Sequence, residues 1–427
     1  MILPVVVAVA ASYTADPFVC MNNNQYYVSH LPPEIRGIIF SFLSDDRRAL
    51  CSCSLTCRAW LEPTRVHLFR SIRLLGSWQY VRFERLIHNA PHLTSCVREL
   101  YIHLDGTFTW MDQEVTRILL KLDKVEHLTI RNWSATIMLD EVRVSLANCF
   151  PNVRTLVLQD VAFAGNDLPV FLCACPNLTS LHLLDVHWTH RGRALVRATP
   201  QHSIRITSLS LRRTTSLASH WLARGPFEVC PRELTIIWDD PVQTSDMRQI
   251  LQRAGAHLEH LAIIFQLPQT FSEAHHDLSL NDLGLVQNTS LQTLRVAHDI
   301  DIRLPRNSNE KILDQLPDIL AQLHTPTIHR IQIDLHMYDV SDLDSLNWEK
   351  IEQHFLRLVT TQPRLAVFFD VYNTEDGHAP TEEVVNEIVR KLPNFAIQEH
   401  RLCIRCSNTR NVEVLPTLPF GGTVTEE

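Results

Sequence analysis

The chain has 427 residues, a formal net charge of −8, and ordinary shares of apolar (45%) and charged (20%) residues. This length exceeds what a single hydrophobic core supports unless the chain is a repeat array, and the negative charge argues against a nucleic-acid partner. Only 11 glycines are present, and none forms a phosphate-binding loop pattern, which excludes the commonest nucleotide-dependent enzymes.

The chain begins with the apolar run MILPVVVAVAAS, which is similar to the hydrophobic part of a secretory signal. No Lys or Arg precedes this run, Pro4 interrupts it, and it is too short to span a membrane as a helix. We therefore expect residues 1–29 to be an apolar extension, disordered or docked, of a cytoplasmic or nuclear protein. A cleaved secretion signal is the alternative.

Three short helices are predicted between residues 31 and 69. They start at Pro32-Pro33, at Asp45-Asp46 and at Pro63. Apolar residues recur at helical spacing in the first helix (Ile35, Ile38, Ile39, Phe42 and Leu43) and in the second (Leu50, Cys53, Cys57 and Trp60). So small a segment cannot bury this much apolar surface by itself, so we expect it to contact the rest of the chain or a separate protein.

The same segment resembles the F-box motif. The resemblance covers residues 31–74 and depends on LPPEI at the start, IIFSFL in the first helix, Leu50, and CSLTCRAW at the end. That ending, followed by FRSIRL, is similar to the F-box proteins expanded in mushroom-forming fungi. The resemblance implies an F-box at 30–75 that inserts into the S-phase-kinase-associated adaptor, and through it joins a cullin. By motif position, the residues implied to contact the adaptor or to shape that surface are Leu31, Pro32, Glu34, Ile35, Ile39, Leu43, Leu50 and Trp60.

A phrase of the form apolar-x-x-Leu-x-apolar recurs from residue 97 onward. Its leucine anchors lie 25 to 33 residues apart, at Leu100, Leu128, Leu156, Leu181, Leu209, Leu234, Leu261 and Leu294. Alternation at each anchor predicts a strand with one buried face, and helical spacing between anchors predicts a helix. One strand and one helix per repeat is typical of leucine-rich-repeat solenoids, whereas a doubly wound α/β domain would not repeat one phrase at such spacing.

The predicted fold class is therefore α/β. A short all-helical F-box is followed by a curved leucine-rich-repeat-like solenoid of parallel strands and helices at 76–410, irregular after about 300. Residues 411–427 are expected to be a disordered tail. Four residues past the anchor, leucine-rich repeats use Asn or Cys to satisfy turn amides. Asn132, Asp160 and Asp185 stand there, followed by Arg213, so we expect this ladder to end after the fourth repeat.

The residues between buried anchors are expected on the open, concave side of the sheet, where a target protein would bind. Arg and Tyr are favoured interface residues. The candidate target-binding residues are Tyr101, His103, His127, Arg131, Gln159, His182, Arg212 and Arg295. A solvated sheet face without a partner is the alternative for each of them.

No pattern predicts a metal, a cofactor or a catalytic residue. Cys51, Cys53 and Cys57 lack a fourth ligand and a second Cys or His pair nearby, so packing is favoured over zinc. Cys403 and Cys406 would face opposite sides of a strand, and neither HExxH nor G-x-S-x-G occurs. We expect a non-catalytic substrate receptor of an SCF-type ubiquitin ligase. The alternatives are an F-box–adaptor scaffold outside a cullin ligase and a secreted repeat-type recognition protein.

Overall fold

A computed structural model of the chain describes residues 31–103, 118–134, 150–165, 167–189, 204–214, 216–224, 227–238, 244–266, 283–299, 315–337, 339–373, 381–397 and 401–408. These residues form two compact units. The first takes the residues up to 178 together with Thr189, and the second takes residues 179–188 and everything described from 204 onward. The predicted N-terminal extension and C-terminal tail lie outside the described residues.

The first unit opens with three helices, α1 (Pro33–Phe42), α2 (Arg47–Thr56) and α3 (Arg58–Leu68). Two of the predicted starts are confirmed. Pro33 stands in the first turn of α1, and the Asp46 carboxylate caps α2 by accepting a hydrogen bond from the Ala49 N–H at 2.9 Å.

The predicted boundary between the second and third helices is wrong. The backbone of Cys57 is extended, so α2 ends at Thr56 and α3 begins at Arg58. Trp60 therefore belongs to the third helix. Pro63, expected to start that helix, lies inside it. The Pro63 nitrogen carries no hydrogen, and this leaves the carbonyl of Ala59, four residues earlier, without its helical donor.

Parallel strands in chain order complete the first unit. The anchors Leu100, Leu128 and Leu156 are direct neighbours in the register, and Ile72 of the first strand pairs with Leu100. Because the anchors align, each strand adds one more row to the same buried face. The elements are β1 (Ser71–Leu74), α4 (Ser77–Asn89), a 3-10 helix (Pro91–Cys96), β2 (Glu99–His103), β3 (His127–Ser134), β4 (Thr155–Ala164) and α5 (Asp167–Cys173).

The second unit repeats this arrangement. Its strands are also parallel and in chain order, and the aligned anchors are Leu181, Leu209, Leu234, Leu261, Leu294, Ile331, Val367 and Leu402. The strands are β5 (Ser180–Thr189), β6 (Arg205–Arg212), β7 (Glu228–Trp238), β8 (His260–Gln266), β9 (Thr293–Asp299), β10 (Arg330–Met337), β11 (Ala366–Asn373) and β12 (Leu402–Asn408). The helices are α6 (Ser216–Arg224), α7 (Thr244–Ala254), α8 (Leu316–Ala321), α9 (Trp348–Thr361), α10 (Thr381–Lys391) and α11 (Pro393–Ala396). The predicted α/β repeat architecture is confirmed.

Asparagine side chains tie successive turns of the first unit together. Each follows the proline that precedes an anchor. Asn152 Nδ2 donates to the carbonyl of Asp123, and Asn177 Nδ2 donates to the carbonyl of Pro151, both at 2.6 Å. These carbonyls lie outside the strand ladder, so the two amides satisfy backbone groups that the sheet does not reach.

The position four residues past the anchor adopts a left-handed backbone conformation. Its φ angle is +57° at Asn132, +52° at Asp160, +55° at Asp185 and +42° at Arg213. Asn and Asp tolerate this conformation better than other residues with a Cβ atom. Arg213 lacks that advantage, yet the backbone turn continues one repeat past the end that residue type predicts.

Alternating burial is clear in β2 and β4 but not in β5. His182 and Leu184 occupy open-side positions of β5 and are buried. Leu184 follows Leu183 directly, and this pair already breaks the alternating pattern of the sequence. Among the described helices, none combines the length and apolar character needed to cross a membrane.

Candidate functional site

The outward side of α1 presents large apolar side chains to solvent. Ile35, Ile38 and Phe42 stand at positions i, i+3 and i+7, which share one side of a helix. Ile38 is 52% exposed and Phe42 is 85% exposed, whereas Phe40 is the only buried residue of this helix. An apolar row that the described residues leave in water is typical of a surface that another molecule covers.

The inward side of α1 is fixed by one aromatic side chain and one guanidinium group. The ring of Phe40 meets Trp60 of α3 edge to face, with 5.2 Å between ring centres. The guanidinium of Arg36 donates a hydrogen bond to the carbonyl oxygen of Ala59 at 2.7 Å. Because both contacts fall on α3, the exposed row of α1 is held in a fixed orientation.

Trp60 itself is half-buried and carries an unused donor. Its Nε1 is enclosed and has no hydrogen-bond partner among the described residues. An enclosed donor without an acceptor costs about 1–3 kcal/mol. Trp60 thus combines a partly exposed apolar surface with an enclosed N–H group that makes no hydrogen bond among the described residues.

The eight residues implied as the adaptor site separate by exposure. Pro32, Glu34 and Ile35 are exposed, while Leu31, Ile39, Leu43 and Trp60 are half-buried. Leu50 is fully buried, so it can shape the surface only through packing.

On α1 and α2, three large apolar residues are exposed and absent from the set of eight: Ile38, Phe42 and Leu55. The helical spacing of the first two was the signal that could have included them. Leu55 lies on α2 and is 54% exposed, and its place in the CSLTCRAW stretch was the signal that could have included it.

In the first unit, the open-side candidates Tyr101 and Arg131 interact. Strand register aligns His103, Arg131 and Gln159 on β2, β3 and β4. A hydrogen bond with Tyr101 is the main reason that the pKa of Arg131 is raised, with a smaller contribution from the charge of Asp160. Arg131 Nε lies 3.4 Å from Asp160 Oδ2. The guanidinium is therefore oriented by two neighbours and stays partly exposed.

His127 lies at the edge of the sheet where the strands begin, away from the other candidate residues of the first unit. Its side chain is exposed at the start of β3, one residue before the anchor Leu128. In the strand register His127 aligns with Glu99 and Thr155, four residues away from the row that contains Arg131. His127 is therefore a peripheral member of the predicted set.

In the second unit, His182 is buried rather than presented. Burial lowers the pKa of His182 to about 4, and its Nε2 lies 3.0 Å from the Ser180 hydroxyl oxygen. The imidazole is therefore neutral at physiological pH. Arg212 lies beside Asp185, with 3.7 Å between Nε and Oδ2.

Arg295 donates from Nε to Asp334 Oδ2 at 2.8 Å. This pair lies on β9 and β10, within the same unit as His182 and Arg212. The open-side candidates of the second unit are thus one buried neutral base and two arginines that are already paired with aspartates.

The thiols do not form a ligand cluster in the described residues. No group of three or more His, Cys, Asp or Glu side chains there is arranged to hold a metal ion. Burial raises the pKa of the Cys51 and Cys53 thiols, and this disfavours the thiolate that binds metals. Cys403 and Cys406 both lie on β12, and burial also raises the pKa of Cys406.

Comparison with known families gives two matches, one over the helical N-terminal segment and one over part of the strand repeats. Residues 28–74 match the family described as F-box-like. Residues 94–224 match the family described as FBD-associated F-box protein At5g56370, LRR repeats. The chain matches no curated protein. An F-box-like domain followed by leucine-rich repeats is the organisation of F-box proteins that mediate protein–protein interactions. In particular, the exposed row of α1 lies within the F-box-like domain.

Proposed function

We propose that the chain is the substrate-recognition subunit of an SCF-type cullin-RING ubiquitin ligase. The observation that carries this proposal is the exposed apolar row Ile35, Ile38 and Phe42 inside the F-box-like match. In this role the chain performs no chemistry itself. It raises the effective concentration of a target lysine near the charged conjugating enzyme, which other subunits bring.

The F-box-like segment docks the S-phase-kinase-associated adaptor. The exposed Pro32, Glu34 and Ile35 contact it directly, and Leu31, Ile39, Leu43 and Trp60 contribute at their half-buried edges. Leu50 supports this surface from beneath. We add Ile38, Phe42 and Leu55 to the contact set because they are the large apolar side chains most exposed on α1 and α2.

The strands capture the target protein on their open side. In the first unit the contributing residues are Tyr101, His103, His127, Arg131 and Gln159. In the second unit they are Arg212 and Arg295, with His182 supporting the surface from within. The paired guanidinium groups support this assignment because fixed orientation lowers the entropy cost of binding.

A direct binding measurement tests the adaptor step. The full-length chain is titrated with purified adaptor, alongside the double variant Ile38→Ala with Phe42→Ala. Two exposed anchors at about 1–2 kcal/mol each predict an affinity loss of roughly 30-fold or more. Ile397→Ala is the matched control, since Ile397 is an exposed apolar residue outside the F-box-like match. Equal adaptor affinity in the double variant and the unaltered chain contradicts the proposal.

The composition of the complex in cells separates the alternatives. A receptor co-purifies with adaptor and cullin together, whereas a scaffold brings the adaptor without a cullin. A secreted recognition protein brings neither and has lost residue 1. The resemblance of the CSLTCRAW ending, followed by FRSIRL, to mushroom F-box proteins stays a prediction, as does the cytoplasmic or nuclear location.

A further inference from the structure

The open side of β9–β12 carries a connected polar cluster that none of the predicted site residues except Arg295 belongs to. The arginine network consists of Arg295, Arg330, Gln332, Asp334, Asp370 and Arg405. Its members come from four consecutive strands of the second unit. Three positive and two negative side chains leave a net positive charge, in a chain whose total charge is −8.

Gln332 joins the two halves of the network. Its side-chain amide nitrogen donates to Asp334 Oδ1 at 3.1 Å and to Asp370 Oδ2 at 2.8 Å. Its carbonyl oxygen accepts a hydrogen bond from Arg330 at 3.1 Å. Every polar atom of this side chain is used, so its position is fixed by neighbours on both sides.

The two signs of charge lie at different depths. The side chain of Asp334 is 2% exposed under an Arg295 that is 31% exposed. The side chain of Asp370 is 10% exposed, under an Arg405 side chain that is 50% exposed. Arg405 donates two hydrogen bonds to the Asp370 carboxylate, at 2.6 and 2.8 Å. The carboxylates therefore neutralise the arginines from below, and the charge that solvent meets is positive.

An aromatic ring lies among the guanidinium groups. The Cζ of Arg330 lies 4.5 Å from the ring centre of Phe368, and that of Arg405 lies 5.4 Å from it. Arg330 Nε is enclosed and makes no hydrogen bond with the described residues. Four residues further along β10 and β11, the rings of His336 and Tyr372 stack with 4.9 Å between their centres. The surface thus combines positive charge with half-buried aromatic area.

We propose that this face binds an acidic peptide segment of a partner protein, with its carboxylates on Arg295, Arg330 and Arg405 and an apolar side chain on Phe368. Charge complementarity selects this occupant. Three strand spacings separate β9 from β12, about 14 Å, which one small anion does not bridge but about four extended residues do. The inference rests on the proposed function only in assigning this segment to the ligase target.

Peptide binding to the purified full-length chain tests the proposal. The probe is a labelled synthetic peptide with Glu residues four positions apart around a central Leu, and its partner probe replaces each Glu by Gln. At low salt we expect the acidic peptide to bind at least 10-fold more tightly by fluorescence anisotropy, and to weaken as salt is added. Equal affinity of the two peptides overturns the inference.

Arg330→Gln identifies the surface. Arg330 makes its side-chain hydrogen bond to Gln332 and leaves both buried aspartates paired, so the variant is expected to remain folded. Acidic-peptide affinity should fall at least 5-fold, with Arg330→Lys between the two because it keeps charge and loses planar stacking. Arg364→Gln, at an exposed position before β11, is the control. Unchanged affinity in Arg330→Gln, or an equal fall in the control, overturns the assignment.

The peptide assay contains no adaptor, which keeps the two proposals separable. A chain that binds adaptor but shows no preference for the acidic peptide refutes only this inference. A chain that prefers the acidic peptide but ignores the adaptor refutes only the receptor proposal.

Discussion

Arg36 on α1 hydrogen-bonds the one backbone carbonyl of α3 that Pro63 leaves without its helical donor. The guanidinium reaches the Ala59 oxygen at 2.7 Å, and the Pro63 ring stands four residues later, where an N–H would otherwise be. A side chain of one helix thus completes the backbone of another. This contact also fixes the helix whose outer side presents Ile38 and Phe42.

The pairing predicts a rescue between two distant substitutions. Arg36→Met should cost about 1.5–3 kcal/mol, since it removes a charged hydrogen bond and leaves a carbonyl unpaired. In the Pro63→Ala background the cost should shrink, because the substituted residue supplies a backbone N–H to the carbonyl of Ala59. Hydrogen exchange of the α3 amides measures both effects. Arg85→Met, at an exposed position on α4, is the control, and an unchanged cost in the Pro63→Ala background refutes the pairing.

His182 predicts a loss of stability in mild acid. Its pKa is about 4 in the folded chain against 6.5 for a solvated imidazole, because burial disfavours the charged form. The unfolded chain therefore binds a proton first as pH falls. The stabilisation present above pH 6.5 is lost progressively toward pH 4, by about 3 kcal/mol in total.

Denaturant unfolding of the second unit at pH 7.5 and 4.5 measures this loss. His182→Asn should reduce the difference between the two pH values, because Asn does not titrate. His127→Asn, which replaces a histidine whose side chain is exposed, is the control. Identical pH profiles for the His182→Asn variant and the unaltered chain would rule out His182 as the cause.

Arg213→Asn should stabilise the fold. Arg213 adopts φ of +42°, which costs an ordinary residue about 1–2 kcal/mol and Asn less. The ion pair with Asp185 that the variant loses spans 3.7 Å and is partly exposed, so it offsets little. We expect a gain of about 0.5–1 kcal/mol in thermal or denaturant unfolding. Arg212→Asn, one residue earlier on the strand, should instead destabilise, and a loss in both variants would contradict this account.

We expect removal of the buried Glu352 carboxylate to lower the stability of the fold strongly. Its Oε1 accepts hydrogen bonds from the backbone N–H groups of Asn394 and Phe395 at 2.7 and 3.0 Å, where α11 begins. Glu352→Ala leaves both groups unpaired and should cost about 2–4 kcal/mol. Glu352→Gln keeps an acceptor and should recover most of that stability. Protection of the Phe395 amide from exchange is the direct readout, and equal protection in the Ala and Gln variants would contradict the role.

The local signals of the sequence succeeded where one residue decides the outcome. Pro33 and Asp46 both mark helix starts. The Asp46 carboxylate accepts a hydrogen bond from a backbone N–H of the first turn, and Pro33 has no N–H that would need a partner there. The leucine anchors predict the register because every strand buries the same position. The break at Cys57 was missed, since Leu50, Cys53, Cys57 and Trp60 keep helical spacing across it. The spacing of apolar residues alone does not reveal that one helix ends at Thr56 and another begins at Arg58, because the apolar residues keep the same spacing across the break.

The surfaces were harder to predict than the fold because they depend on residues far apart in the chain. Leu50 and Ile38 are both apolar at helical spacing, and only the packing of three helices decides which one is buried. Asp334 and Asp370 look like solvated charges in isolation. Their pairing with Arg295 and Arg405 depends on strands whose anchors lie 35 to 37 residues apart in the sequence.

Gln332 has a consequence for how this chain can change over time. Since its amide serves two aspartates and its carbonyl serves an arginine, replacing Gln332 alone disturbs partners on both sides at once. Among relatives of this chain, positions 332, 334 and 370 should therefore vary as a group, with intermediates that are less stable than either end state. The residues of the network would then be replaced together rather than one at a time.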